Sequence, residues 1–263
     1  MKKELFFGAA LAFIGACGNS QQKAINEVQF GLTTASAVGR TAALAMDAMK
    51  GMPVACATVK TACSTFPCTT GEVTIALGPG CPLPLGGAAT GTVAVTGNWS
   101  SVDQATLSQT FTNAQVTAQS NKALAIASVT QVSASRSSNT LTISYTGANA
   151  VAGASGSALA VGASNSWTVS VEGKGTADPA DDLVTISATS ASAGGFSGVR
   201  VSSIKSAVLD PTCPSNPISG SAQITEVSGG LVPIPSIIEI KFHSACDGSV
   251  EVNGSTQPLQ LLP

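Results

Sequence analysis

The chain has 263 residues, of which only 10% are charged, and a formal net charge of −2. No basic stripe interrupts it, which excludes nucleic acid, whose phosphates demand clustered Lys and Arg. Ala, Ser, Thr, Gly and Val dominate while aromatics reach 4%; this balance favours strands over helices, and the organised apolar runs argue against a disordered chain.

Lys2 and Lys3 open the chain, the apolar run "LFFGAALAFIG" follows, and Ala16 offers a small residue for cleavage. These are the three parts of an export signal. The run is about eleven residues, well short of the ~20 needed to span a bilayer, so it predicts a leader over residues 1–16 rather than a transmembrane helix. Ile14-Gly15-Ala16-Cys17 resembles the lipobox of bacterial lipoproteins, with Ile14 where Leu is commoner. The resemblance implies that the Cys17 sulfur receives a diacylglyceryl group, that the leader is cut before it, and that the new amino terminus is acylated. At about 0.8 kcal/mol per buried methylene, three acyl chains give an effectively permanent anchor. In Gram-negative lipoproteins Asp after the cysteine retains the protein at the inner membrane. Gly18 in that place implies the outer membrane, on its periplasmic face or at the cell surface.

Residues 17–50 read as a lipid-anchored helix or stalk. Ile25, Val28 and Leu32 recur at helical spacing, and Leu44, Met46 and Met49 add apolar surface. Gly31, Ala35, Gly39 and Ala43 make a smooth stripe every four residues, which lets a helix approach a sheet closely. Such stripes also pair membrane helices, but Glu27, Arg40 and Asp47 interrupt this one and favour a soluble packing helix. Each interior glycine costs ~1 kcal/mol, so a break near Gly31 or Gly39 is expected. The segment is expected to lie on the domain as a stalk or lid.

From residue 51 to 263 the period changes to two. "CATVK", "GEVTIALG", "TVAVTGNW", "ALAIASVTQV", "TLTISY", "WTVSV", "LVTISA", "FSGVRVSS", "GSAQITEV", "IIEIKF" and "SVEVNG" alternate apolar with polar residues between turn-rich gaps. The expectation is mainly β: ten to twelve antiparallel strands in a large sheet, a sandwich or an incomplete barrel, with the N-terminal helix packed on it. The stretch "GANAVAGASGSALAVGASN" at 147–165 reads as a long loop or weak hairpin.

Seven cysteines are present. Assigning Cys17 to lipid leaves six, and an even number in an exported protein reads as disulfides, with fifteen connectivities open. Folding residues 56–60 and 71–78 as an antiparallel hairpin brings Cys56 near Cys81 and Cys63 opposite Cys68 at the tip. The turn at Gly229-Gly230 lies midway between Cys213 and Cys246 and brings that pair together. The spacing of Cys63 and Cys68 is unlike common zinc sites. Strands that end in a cysteine beside a glycine turn also resemble exported lipoproteins of unassigned function with large antiparallel sheets. That resemblance brings no catalytic residues with it and supports the pairings.

Catalytic chemistry is sparse. His243 stands at a strand end near Cys246 and Asp247, but the strained G-x-S-x-G elbow of a Ser-His-Asp hydrolase is missing, since "GASGS" and "GGFSG" are misspaced. His243 reads as a strand-end residue bonded in a turn. "DPADD" gathers Asp178, Asp181 and Asp182 without an EF-hand's spacing, and reads as a solvated loop rather than a calcium site. Trp99 and Trp167 could stack on sugars, yet a core role suffices for each. No cofactor or metal is implied. The expected function is that of a non-catalytic binding or structural lipoprotein of the cell envelope, its ligand or protein partner unknown. The alternatives are an apolar-ligand carrier, with Leu124, Ile126, Ile143, Val169 and Ile240 lining a concave sheet, and an envelope hydrolase using His243.

Overall fold

The computed structural model describes residues 5–78, 81, 88–117, 123–146, 148–152, 164–173, 181–194, 198–227 and 235–259. A helix, α1 (Leu5–Met49), is followed by fourteen strands. They are β1 (Ala57–Thr61), β2 (Cys68–Leu77), β3 (Ala88–Ser101), β4 (Gln104–Thr117), β5 (Ala123–Ser137), β6 (Thr140–Thr146) and β7 (Ala148–Ala152). The second half holds β8 (Ser164–Glu172), β9 (Leu183–Gly194), β10 (Gly198–Leu209), β11 (Ser219–Val227), β12 (Pro235–Lys241), β13 (Ser249–Val252) and β14 (Ser255–Pro258). Each strand pairs antiparallel with its neighbour in sequence, save that β6 passes to β8 while β7 pairs back onto β5. The outermost strands, β1 and β14, do not meet, so the sheet is open rather than a barrel.

Fourteen strands exceed the expected ten to twelve, and β4, β7 and β14 are the three that none of the alternating runs covers. Periodicity passes over β4 because Gln109 occupies a core-facing position between Leu107 and Phe111. It passes over β7 because alanines at 148–152 carry little strand signal. Within 147–165, the described part is therefore a strand at its start and the opening of β8 at its end.

The sheet bends at bulges. At Thr90/Thr92 the register of β3 slips against β4, with Gly91 at φ 108° facing Asn113 at φ 51°. A side chain on Gly91 would strike the Asn113–Ala114 backbone at 2.6 Å, so only glycine fits. Gly220 (φ 100°) faces Ser206 (φ 48°) in the same way between β11 and β10. Each bulge adds local twist, and several of them curl one broad sheet.

The hollow of that curl holds α1. From Gly31 to Met46 every α1 side chain is buried except the partly exposed Thr33, and one core includes helix and sheet together. A helix so rich in alanine is a thin rod, apolar on nearly every side, and suits burial all round. It is therefore not a lid on the domain but its centre. Nor does it break at its glycines: α1 runs uninterrupted. A Cβ on Gly31 would lie 2.8 Å from Cη2 of Trp167, and one on Gly39 2.5 Å from Cγ1 of Val169. The close approach of β8 offsets the helical cost of both glycines.

All six expected cysteines pair as Cys56–Cys81, Cys63–Cys68 and Cys213–Cys246, with Cα separations of 5.9, 5.6 and 5.3 Å. Each lies in the range a disulfide requires. The first two nest on the β1–β2 hairpin, and the third joins the loops after β10 and β12.

Candidate functional site

Chemistry-bearing side chains gather in two places. The first is the loop cluster around Cys213–Cys246, organised by the fully buried Asn216. Its Nδ2 donates to Pro217 O at 3.0 Å and to His243 O at 2.8 Å, while its Oδ1 accepts from Gly248 N at 3.1 Å. One amide thus ties two loops that the disulfide also joins.

His243 stands two residues beyond the end of β12, after Phe242. Its Nδ1 accepts from the Ala245 N–H at 3.4 Å, and its Nε2 lies 3.1 Å from Ser249 Oγ. Ser249 Oγ in turn donates to Asp247 Oδ1 at 2.7 Å, and the Ser249 N–H donates to the same oxygen at 2.9 Å. Those bonds, the hydroxyl's first, hold the Asp247 carboxyl below its ordinary value. An Nδ1 that accepts leaves the neutral ring's proton on Nε2, which then donates to Ser249. A nucleophilic serine needs the reverse, an imidazole that takes its proton and a carboxylate that orients the imidazole. Here the carboxylate engages the serine. The arrangement closes a turn at the end of a strand.

The second place is the seam between α1 and the sheet. Thr41 Oγ1 lies 2.8 Å from Gln109 Oε1, and Gln109 Nε2 donates to Val38 O at 3.1 Å. Both residues are completely buried, so the pair satisfies polar groups that would otherwise be costly. Arg40 Nη1 binds Asp182 Oδ2 at 2.7 Å, with 4% and 13% of the two side chains exposed. Burial raises the Asp182 carboxyl above its ordinary value, and Arg40 opposes that shift without cancelling it. Toward the C-terminal end of α1, Asp47 pairs with Arg136 and Lys50 with Asp103. Asp182 is consequently not part of a solvated loop but half of a buried pair; Asp178 lies outside the described residues. Gln109 and Arg136 did carry a signal: each is polar in the core-facing phase of its strand, beside Leu107 or Ala134.

Other sequence candidates fall as follows. Ile143, Val169 and Ile240 are buried in the core, Val169 against Gly39, whereas the side chains of Leu124 and Ile126 lie outside the described residues. The described concave surface is occupied by α1. Trp99 and Trp167 are buried, the latter stacked on Tyr145 with centroids 6.0 Å apart, so neither offers a face to a sugar. Burial also raises the Tyr145 phenol. Among the described residues no three His, Cys, Asp or Glu side chains are grouped to hold a metal ion. No described helix is long and apolar enough to cross a membrane.

The chain matches no family model, no curated protein and no solved structure.

The convex face supplies the remaining surface. Thr106, Ser133, Ser144, Thr168 and Ser187 stand in register across β4, β5, β6, β8 and β9. Beside them runs Gln104, Ser135, Thr142, Ser170 and Thr185. The two rows contain no charged residue, whereas β10–β13 carry Lys205, Glu239, Lys241 and Glu251 on described, solvent-reaching positions.

Proposed function

We propose that the chain is a bacterial outer-membrane lipoprotein, anchored through Cys17, whose folded part binds or scaffolds in the cell envelope without catalysis. The observation that carries this reading is the state of the cysteines. All six beyond Cys17 are joined in pairs, which suits an oxidising compartment outside the cytoplasm. The one left over stands in Ile14-Gly15-Ala16-Cys17 behind a short apolar run, where the lipobox resemblance gives it a use. The absence of catalysis is supported by the His243 turn, whose proton placement opposes nucleophilic attack by Ser249. Outer-membrane sorting rests on Gly18 alone.

Mass spectrometry of the amino-terminal peptide from membranes tests the anchor. The expected product begins at Cys17 and carries a diacylglyceryl group and an N-acyl chain. Cys17→Ser is expected to abolish that modification and release the protein from washed membranes. An unmodified Cys17 in a membrane-free wild-type protein overturns the reading.

A further inference from the structure

We infer that the outer face of β10–β12, at the rim of the sheet nearest Cys17, is a membrane-contact surface that meets the lipid headgroups beside the anchor. This rests on the lipoprotein reading above. The direction of α1 decides which rim that is. Gly31 lies against Trp167 and Gly39 against Val169, so α1 runs in the same sense as β8. Further on, Arg40 binds Asp182 just before β9, Asp47 pairs with Arg136 near the end of β5, and Lys50 pairs with Asp103 between β3 and β4. The C-terminal part of α1 therefore reaches the edge at which β3, β5 and β8 end. Its Cys17 end lies toward the opposite edge, where β8, β10 and β12 begin and β9 and β11 end. Cys17 precedes Gly31 by fourteen residues, about 21 Å at the helical rise. Trp167 pairs with Ala188, and six more residues take β9 to its end at Gly194, about 20 Å at the rise of a strand. Any inclination of the strands shortens that length along the helix axis, so α1 brings Cys17 to the rim. Ala24 and Ile25, both fully buried, keep the anchor close to the body.

At this rim the outer face of β10–β12 changes character. Val201 and Ile237, 37% and 51% exposed, stand in one row with Thr225 between them. They face outward, because Ile204, Ile224 and Ile238 on the same strands are buried in the opposite phase. The next row toward the rim is Val199, Val227 and Pro235 by register. Away from the rim polarity returns, first as Ser203, Gln223 and Glu239, then as Lys205, Ser221 and Lys241. The Ser203 row also continues as Thr189, Ser166 and Thr146 across β9, β8 and β6, which is the hydroxyl surface. The apolar rows thus belong to β10–β12 and lie on the lipid side of the charged ones. An interfacial surface needs this gradient: apolar groups gain by entering the headgroup boundary, while charged groups farther from the lipid stay hydrated. Left in water, such a patch drives association; beside an anchored cysteine, the bilayer covers it.

The full-length protein, one copy per phosphatidylcholine nanodisc with nitroxide headgroups, tests this. A fluorophore is clicked to a non-natural residue at Thr225, at Ser166 or at Thr65. Ser166 is one row from Thr225 in height but on the hydroxyl surface, and Thr65 is exposed at the β1–β2 tip. Quenching at 225 is expected to exceed that at 166 severalfold, with 65 the least. Val201→Thr/Ile237→Thr keeps residues that suit a strand and is expected to bring 225 down to the level of 166, with the circular dichroism spectrum unchanged. Equal quenching at 225 and 166 in the parent overturns the inference, and so does a contrast that survives the double substitution. A contrast that arises only in discs holding two copies assigns the patch to a second copy and overturns it too. Mass measurement of the same sample separates the two levels. An unacylated Cys17 overturns the lipoprotein reading and the inference with it, while an acylated Cys17 with equal quenching overturns the inference alone.

Discussion

Along β6 and β8 the two faces of the sheet differ by one residue. Ile143 and Val169 point inward and are fully buried, while Ser144 and Thr168 beside them are exposed. The inner set packs on α1; the outer set forms ladders of hydroxyls with no inner counterpart. The same backbone thus supports two surfaces whose side chains are chosen for different ends, the inner for cohesion and the outer for contact with solvent or a partner. Comparing substitutions across that one-residue step separates the two roles. Ile143→Ala is expected to cost about 3–4 kcal/mol, because a methyl-rich side chain is lost and the rod behind it cannot collapse into the gap. Urea denaturation of the two variants side by side measures it, with Ser144→Ala staying within about 0.5 kcal/mol of the parent. Similar losses at both positions would mean that the outer face also carries the fold.

The two disulfide regions sharpen the contrast between local and long-range stabilisation. Cys213 and Cys246 are 33 residues apart in sequence, Cys63 and Cys68 only 5. By loop-closure entropy the double replacement Cys213→Ala/Cys246→Ala is expected to cost about 3–4 kcal/mol, and Cys63→Ala/Cys68→Ala about 2 kcal/mol. Oxidised proteins compared in the same denaturant series give the ranking. An equal cost for both would show that the β1–β2 tip supports more than its own hairpin.

Inside the seam, Arg40→Met leaves the Asp182 carboxylate without its nearest cation. Partial exposure of Asp182 limits the penalty to about 2 kcal/mol, and Arg40→Met/Asp182→Asn is expected to recover most of it. Asp182 also gives the fold a pH dependence of unusual sign. Its folded-state value is raised, with burial outweighing Arg40. The folded chain then holds this proton more tightly than the unfolded one, and the stability it contributes is lost as pH rises from the ordinary carboxylate value through the raised one. Asp182→Asn is expected to flatten that part of the curve, read by denaturant midpoints from pH 3.5 to 7. A parent that gains stability over the same window relative to the variant would assign the pair the opposite sign.

Much of this was legible in the chain. The switch from helical to alternating period marked the two parts, the small-residue stripe marked the helix face against β8, and the hairpin around residues 56–78 fixed two cysteine pairs. What escaped has a common cause. A one-dimensional period reports which side of a strand is buried but not what covers it, so from sequence α1 has the look of a stalk or lid rather than of the object the sheet encloses. Polar residues aimed at that object, Gln109 and Arg136, broke the strand signal where they mattered most. The Arg40–Asp182 pair joins positions 142 apart, and nothing local in "DPADD" indicates a cation on a distant helix. The position of His243 past a strand end follows from the pattern, yet the direction of its hydrogen bonds depends on Ala245 and Ser249 folding back around it.

The outer rows give the smallest effect on stability and the most informative one on function. Ser133, Ser144 and Thr168 are neighbours across three paired strands. Replacing all three by Val keeps side chains that suit a strand, so the denaturation midpoint is expected to move by no more than about 1 kcal/mol in either direction. Solution behaviour should move instead. Three adjacent valines create a continuous apolar patch on a surface that otherwise presents hydroxyls, and such patches drive association. Sedimentation of the anchor-free domain should then report oligomers for the triple variant and a single species for the parent. A triple variant that stays dispersed and folded would leave the hydroxyls without a solubility role, and their regular register would then have to be explained by what they touch.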